Sequence, residues 1–150
     1  MSDTAIFLNK GEGKAHDILG MRHIYKALTA DTGGAFLCFE VEIPPGTGVG
    51  MHRHDEDCEA MFMLEGELVF ESADGVHTCS VGDFSFFKSG DAHSFRNESG
   101  KLVRALVISS PGVAPEAFFD ELDASAKQPE FNVAEALIPM AKKRGIEVVV

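Results

Sequence analysis

Short runs rich in Phe, Val, Leu and Met recur along the first two thirds of the chain. They lie at Gly34 to Ile43, Glu59 to Glu71, Val76 to Ser80, Phe84 to Phe87, His93 to Asn97 and Lys101 to Ser109. Turn sequences punctuate them: Gly33-Gly34, Pro44-Pro45-Gly46, Glu65-Gly66-Glu67, Ala73-Asp74-Gly75, Val81-Gly82-Asp83, Ser89-Gly90-Asp91 and Ser99-Gly100. Strands of this length at this spacing predict an all-β antiparallel sandwich or barrel. Met21 to Thr29 alternates loosely and is expected as an added edge strand. The pattern changes after Ser110-Pro111-Gly112. Pro115 to Leu122 reads as a helix, with Pro in its first turn and acidic residues beside it. Asn132 is placed to cap a second helix, whose Val133, Ala136, Leu137, Met140 and Ala141 recur at helical spacing. Pro139 is expected to kink that helix, and Gly145 to end it after Lys142, Lys143 and Arg144. Ile146 to Val150 reads as a last strand. The expected organisation is a β-domain over 1–110 and a helical extension over 111–150 packed on its outside.

Composition narrows this picture. A chain of 150 residues suits one domain, and 45% hydrophobic residues with 12 Phe exclude disorder as the main state. No apolar run approaches the roughly 20 residues of a membrane helix. The start, Met1-Ser2-Asp3-Thr4, lacks the basic flank and apolar core of a signal peptide, which favours the cytoplasm. A net charge of −11 argues against nucleic acid and anionic membranes as partners. Cys38, Cys58 and Cys79 have no CxxC spacing, so neither a disulfide framework nor a thiolate zinc site is expected.

Candidate chemistry concentrates between Gly46 and Glu59. His52 and His54 are one residue apart, which in a strand puts both imidazoles on one face with Cβ atoms roughly 6–7 Å apart. Glu59 adds a carboxylate after a four-residue excursion, and His93 opens a later strand. Three imidazoles and one carboxylate suit a divalent transition metal with open positions, and not calcium or magnesium, which take oxygen shells. The doublet alone carries little weight, because six histidines in 150 residues give roughly 0.2 such pairs by chance.

The surrounding residues resemble the cupin superfamily. Its first motif reads Gly, five residues, His-x-His, three or four residues, Glu, six residues, Gly; here Gly46, His52, His54, Glu59 and Gly66 stand at those offsets. Its second reads Gly, five residues, Pro-x-Gly, two residues, His, three residues, Asn. Gly82, Gly90, His93 and Asn97 match it, with Lys88 where the pattern has Pro. The resemblance implies a single jelly-roll barrel with one metal held by His52, His54, Glu59 and His93. Iron is the first expectation for that metal, with manganese, nickel, zinc or copper as alternatives. Alternation from the ligands sends Met61, Met63, Phe95 and Asn97 inward as candidate substrate-pocket residues. Phe62 and Leu64 then face outward and need cover, from the C-terminal helices or a partner subunit. Cupins of this size often dimerise through sheet packing, so a homodimer is expected.

The four-residue His-to-Glu spacing, the segment Glu59 to Glu67 and the tail are similar to small proteins grouped with quercetin 2,3-dioxygenases. That similarity implies a metal-dependent dioxygenase acting on a small aromatic or enolisable oxygenated compound of flavonol type, with Glu59 as both ligand and catalytic base. The alternatives are a metal-dependent isomerase or lyase on a small hydroxy or keto acid, and a non-catalytic small-molecule-binding cupin. His16, His23 and His77 lack ligand offsets and read as surface or strand histidines. Asp55-Glu56-Asp57 reads as a solvated rim loop, the three cysteines as inert thiols, and Phe118-Phe119 as part of a helix on the barrel wall.

Overall fold

The computed structural model describes residues 4–128 and 138–149. Eleven strands and two helices follow the chain among these residues: β1 (Ala15–Ile18), β2 (Met21–Ala27), β3 (Leu37–Ile43), β4 (Gly48–His54), β5 (Cys58–Glu65), β6 (Leu68–Ser72), β7 (Gly75–Cys79), β8 (Phe84–Phe87), β9 (His93–Arg96), β10 (Val103–Ser110), α1 (Glu116–Ala126), α2 (Ile138–Lys142) and β11 (Ile146–Val148). One sheet runs β1-β2-β3-β10-β5-β8 and the other β11-β4-β9-β6-β7. Every pairing is antiparallel.

Side-chain alternation places the core between the sheets. On β10, Val103, Ala105 and Val107 point inward; on β5, Glu59, Met61 and Met63 do, while Phe62 and Leu64 face out. The long apolar run expected from Glu59 is two strands, divided at Gly66, whose φ of 80° and lack of Cβ allow the tight turn beneath Val103. The segment expected at the sheet edge is β2, but the edge is β1: Ala15–Ile18 pairs outside it. That four-residue strand has no apolar run of its own. Its His16 is buried through hydrogen bonds to Tyr25 Oη (3.1 Å) and Asp120 Oδ1 (2.8 Å).

The C-terminal segment is built into the barrel mouth. α1 begins after Pro115, which has the extended backbone of an N-cap, and Lys14 pairs with Glu116 across to β1. Its Phe118, Phe119 and Leu122 are buried against the barrel core. β11 joins the second sheet beside β4, setting Ile146 opposite His54 and Val148 opposite His52. Pro139 lies within the described part of α2, and Gly145 follows the helix at a φ of 73°. The proposed cap Asn132, with Val133, Ala136 and Leu137, lies outside the described residues. No described helix is long and apolar enough to cross a membrane.

Candidate metal centre and cavity

Strand register brings the four candidate ligands together. β4 pairs with β9, and the register shifts between Val49 and His52, so that Val49 faces Phe95 and His52 faces His93. The extra residue on β4 is a bulge, and a bulge reverses inward–outward parity. Val49 is therefore inward on one side of it and His52 and His54 on the other, and all three line the same cavity. Gly48 lets the two strands close at this point. A Cβ there would lie 2.1 Å from the Phe95 carbonyl oxygen, closer than any side chain tolerates. Glu59 enters from β5 on the opposite sheet.

One ligand atom from each of His52, His54, Glu59 and His93 lies within 4.8 Å of the others. The rings of His52 and His93 have centroids 4.4 Å apart, and His93 stacks flat on Phe87 at 3.9 Å. Glu59 Oε1 is 3.4 Å from His93 Nε2, and Glu59 Oε2 is 3.6 Å from His54 Nε2.

The outward nitrogens of the three rings are all engaged. His52 Nδ1 bonds the Gly50 carbonyl at 2.8 Å and His93 Nδ1 the Asp91 carbonyl at 3.0 Å. Carbonyls only accept, so both rings carry their hydrogen on Nδ1 and turn an Nε2 lone pair inward. His54 Nδ1 is 3.0 Å from Asp57 Oδ1. This is the arrangement by which metal-binding imidazoles are oriented and made more basic. His93 Nε2 is buried without a hydrogen-bond partner. An orphaned inward lone pair beside a carboxylate and two further imidazoles fits a divalent transition ion, and the cluster could hold one.

Electrostatics separate the four groups. Burial opposes ionisation of Glu59, but its contact with His93 and the neighbouring imidazoles outweigh it and hold the carboxyl below its ordinary range. Burial lowers the pKa of His52, aided by His93. At His54 burial pulls down, yet the Asp57 hydrogen bond and the charges of Glu59, Asp57 and Asp55 raise it overall.

A cavity of about 500 Å³ opens from the cluster, within the usual range for small-molecule sites. His52, His54 and Glu59 form its polar end, and Met61, Phe95 and Phe39 are among its apolar lining. No Lys or Arg lines it among the described residues. The structure places two of the candidate pocket residues elsewhere. Met63 is buried in the core beyond Met61 and does not reach the wall. Asn97 is also fully buried away from the cavity, because its amide is consumed locally. Its Nδ2 donates to the Ile43 and Lys101 carbonyls at 2.8 and 2.6 Å, and its Oδ1 accepts from Ser99.

Several residues take roles that their sequence context hides. Asp57 is buried at 5% exposure and orients His54, while Asp55 and Glu56 remain exposed as a rim loop should. Lys88 uses the N–H that a proline would lack, donating it to Asp91 Oδ2 at 3.1 Å; the same turn presents the Asp91 carbonyl to His93. Phe118 and Phe119 stand in the cavity wall itself. So does His23, whereas His77 is exposed on β7. Arg53, between the two ligand histidines, points away and pairs with Glu147 on β11 at 2.5 Å.

Two facing antiparallel sheets with an interior His-His-Glu-His cluster define a double-stranded β-helix with a site competent for metal. Residues 39–109 match the cupin domain family, and this stretch of the chain is a cupin domain. The chain is 36% identical over 74 residues to an oxalate-binding protein of Thermotoga maritima, covering 49% of this chain and 61% of that protein. It is 30% identical over 117 residues to a quercetin 2,3-dioxygenase of Bacillus subtilis, covering 77% of this chain and 34% of that protein. The chain thus spans about a third to three fifths of these curated relatives. A crystal structure described as a predicted oxalate decarboxylase of Thermotoga maritima superposes with a TM-score of 0.63 at 24% identity, over 71% of this chain and 99% of that one, and shows the shared fold.

Proposed function

We propose that the chain is a metal-dependent dioxygenase acting on a small aromatic or enolisable oxygenated compound, with one divalent transition ion, iron foremost, held by His52, His54, Glu59 and His93. The observation that carries this reading is the pairing of the cluster with a cavity whose described lining is otherwise almost wholly apolar. When bound by these four residues, such an ion would supply Lewis acidity to a compound held in the cavity. The apolar walls exclude water and orient a flat ring by packing, with Met61, Phe95, Phe118 and Phe119 in contact range. Glu59 accepts the proton of a substrate hydroxyl on a carboxylate oxygen. The imidazoles that keep Glu59 ionised also make it a weak base. It therefore works best on an acidic phenol or enol, which is the substrate class proposed.

The similarity to a quercetin 2,3-dioxygenase supports this class of reactant. Oxalate, which the other relative is named for binding, would engage only the metal end and leave most of this apolar cavity of about 500 Å³ unfilled. The exposed Phe62, Phe84 and Phe86 on the outer face of the first sheet support a homodimer, in which a second copy covers them. The test of the reaction is oxygen uptake by iron-loaded protein given a flavonol such as quercetin. Consumption of oxygen in step with loss of the flavonol is the expected result. Turnover under strict anaerobiosis favours an isomerase or lyase instead. Tight binding without turnover, undiminished in Glu59→Gln, favours a non-catalytic binding protein.

A further inference from the structure

His23 matches no ligand spacing, yet it forms part of the cavity wall. Among the described lining residues it is the one polar side chain outside the metal cluster. Its ring stacks on Phe39, with centroids 4.9 Å apart and planes 27° from parallel, which fixes the plane it presents. Nδ1 lies 3.1 Å from the Met21 carbonyl oxygen. Since that oxygen only accepts, Nδ1 carries the hydrogen and Nε2 keeps its lone pair. Burial lowers the ring's pKa to about 4, so it is neutral near pH 7. Among the described residues none hydrogen-bonds to Nε2. An acceptor on an otherwise apolar wall is satisfied by whatever fills the cavity, or it costs binding energy.

Distance points the same way. β2 is separated from β5, which carries Glu59, by β3 and β10. At the usual strand spacing that is roughly 14 Å along the sheet, and less across a curved wall, about the span of two or three linked aromatic rings. We propose that His23 Nε2 accepts a hydrogen bond from a hydroxyl of the bound compound, and so selects aromatic substrates carrying a second hydroxyl remote from the one directed to Glu59. This rests on the reading of the cavity as the site of a small aromatic compound. His23 positions the substrate; it carries no step of the reaction.

The test compares quercetin, which bears hydroxyls on several rings, with 3-hydroxyflavone, which has the same skeleton and a single hydroxyl beside the carbonyl. Binding is measured by fluorescence quenching with zinc-loaded protein, in which no redox turnover consumes the ligand. Native protein is expected to bind quercetin more tightly. His23→Phe keeps an aromatic ring on Phe39 but removes the acceptor; quercetin should weaken roughly tenfold while 3-hydroxyflavone stays within about twofold. His23→Gln, whose side-chain oxygen accepts, should recover part of the quercetin affinity. Equal losses of both ligands in both variants, or no loss of either, overturn the role of His23 and leave the substrate class standing. Failure of native protein to bind either compound overturns the substrate class, and the inference with it.

Discussion

Each histidine of the cluster has its outer nitrogen tied down before any ion arrives, but the ties differ. His52 and His93 use main-chain carbonyls within two residues, whereas His54 uses the side chain of Asp57. Only the last can be removed by substitution. Asp57→Asn should weaken metal affinity by about 10–100-fold with the fold retained, measured by chelator competition. The four ligands were legible because motif offsets specify them residue by residue. Asp57 was not, since an acidic triplet beside a turn looks like solvated surface, whereas its third member is buried against His54. His23 was illegible for a related reason: nothing in its neighbours tells a cavity wall from a strand face. Its depressed pKa has a consequence for stability. The unfolded chain takes up the proton near pH 6.5 while the folded ring resists until about pH 4. The unfolded state therefore gains as pH falls through that window, and the native state loses stability there. In thermal melts, His23→Phe should show a shallower loss of Tm between about pH 6.5 and 4 than the native protein.

Among the elements, β4 carries the most. Its bulge sends Val49, His52 and His54 to the same interior, and plain alternation from Val49 would have sent His52 outward. The His-x-His spacing establishes that the two imidazoles share a face; it cannot say which face, and the bulge at Gly50 and Met51 decides that. Gly48 sets how closely β4 meets β9. Gly48→Ala forces a Cβ onto the Phe95 carbonyl and should cost about 1–3 kcal/mol or more, read as a lowered midpoint in urea unfolding together with weakened metal binding. β10, β5 and β8 were legible from apolar runs bounded by glycine turns. β1 was not, because His16 and Asp17 interrupt its alternation and its burial comes from α1, far away in sequence.

At the scale of the molecule, the two sheets supply a largely apolar interior, and the C-terminal segment supplies part of its wall. Helices read as packed outside the barrel also reach in, through Phe118, Phe119 and Leu122, to the same cavity as Glu59. Sequence periodicity gives a helix an apolar stripe without saying whether the stripe meets a core or a cavity. On the opposite exterior, Phe62 faces Phe84 across β5 and β8, and both are exposed. A charge there should split the proposed dimer: Phe62→Glu with Phe84→Glu is expected to sediment as a monomer with its metal content unchanged. An unchanged sedimentation coefficient would remove this face from the assembly. The proposed chemistry depends most on His52, His54, Glu59 and His93 holding a single ion. Elemental analysis of the native protein beside His52→Ala and His93→Ala, with circular dichroism on each, tests it most directly. About one transition ion per chain in the native protein, lost in both variants while the β-spectrum persists, is the expected result; full metal occupancy in either variant, or a native protein that takes up none, contradicts it.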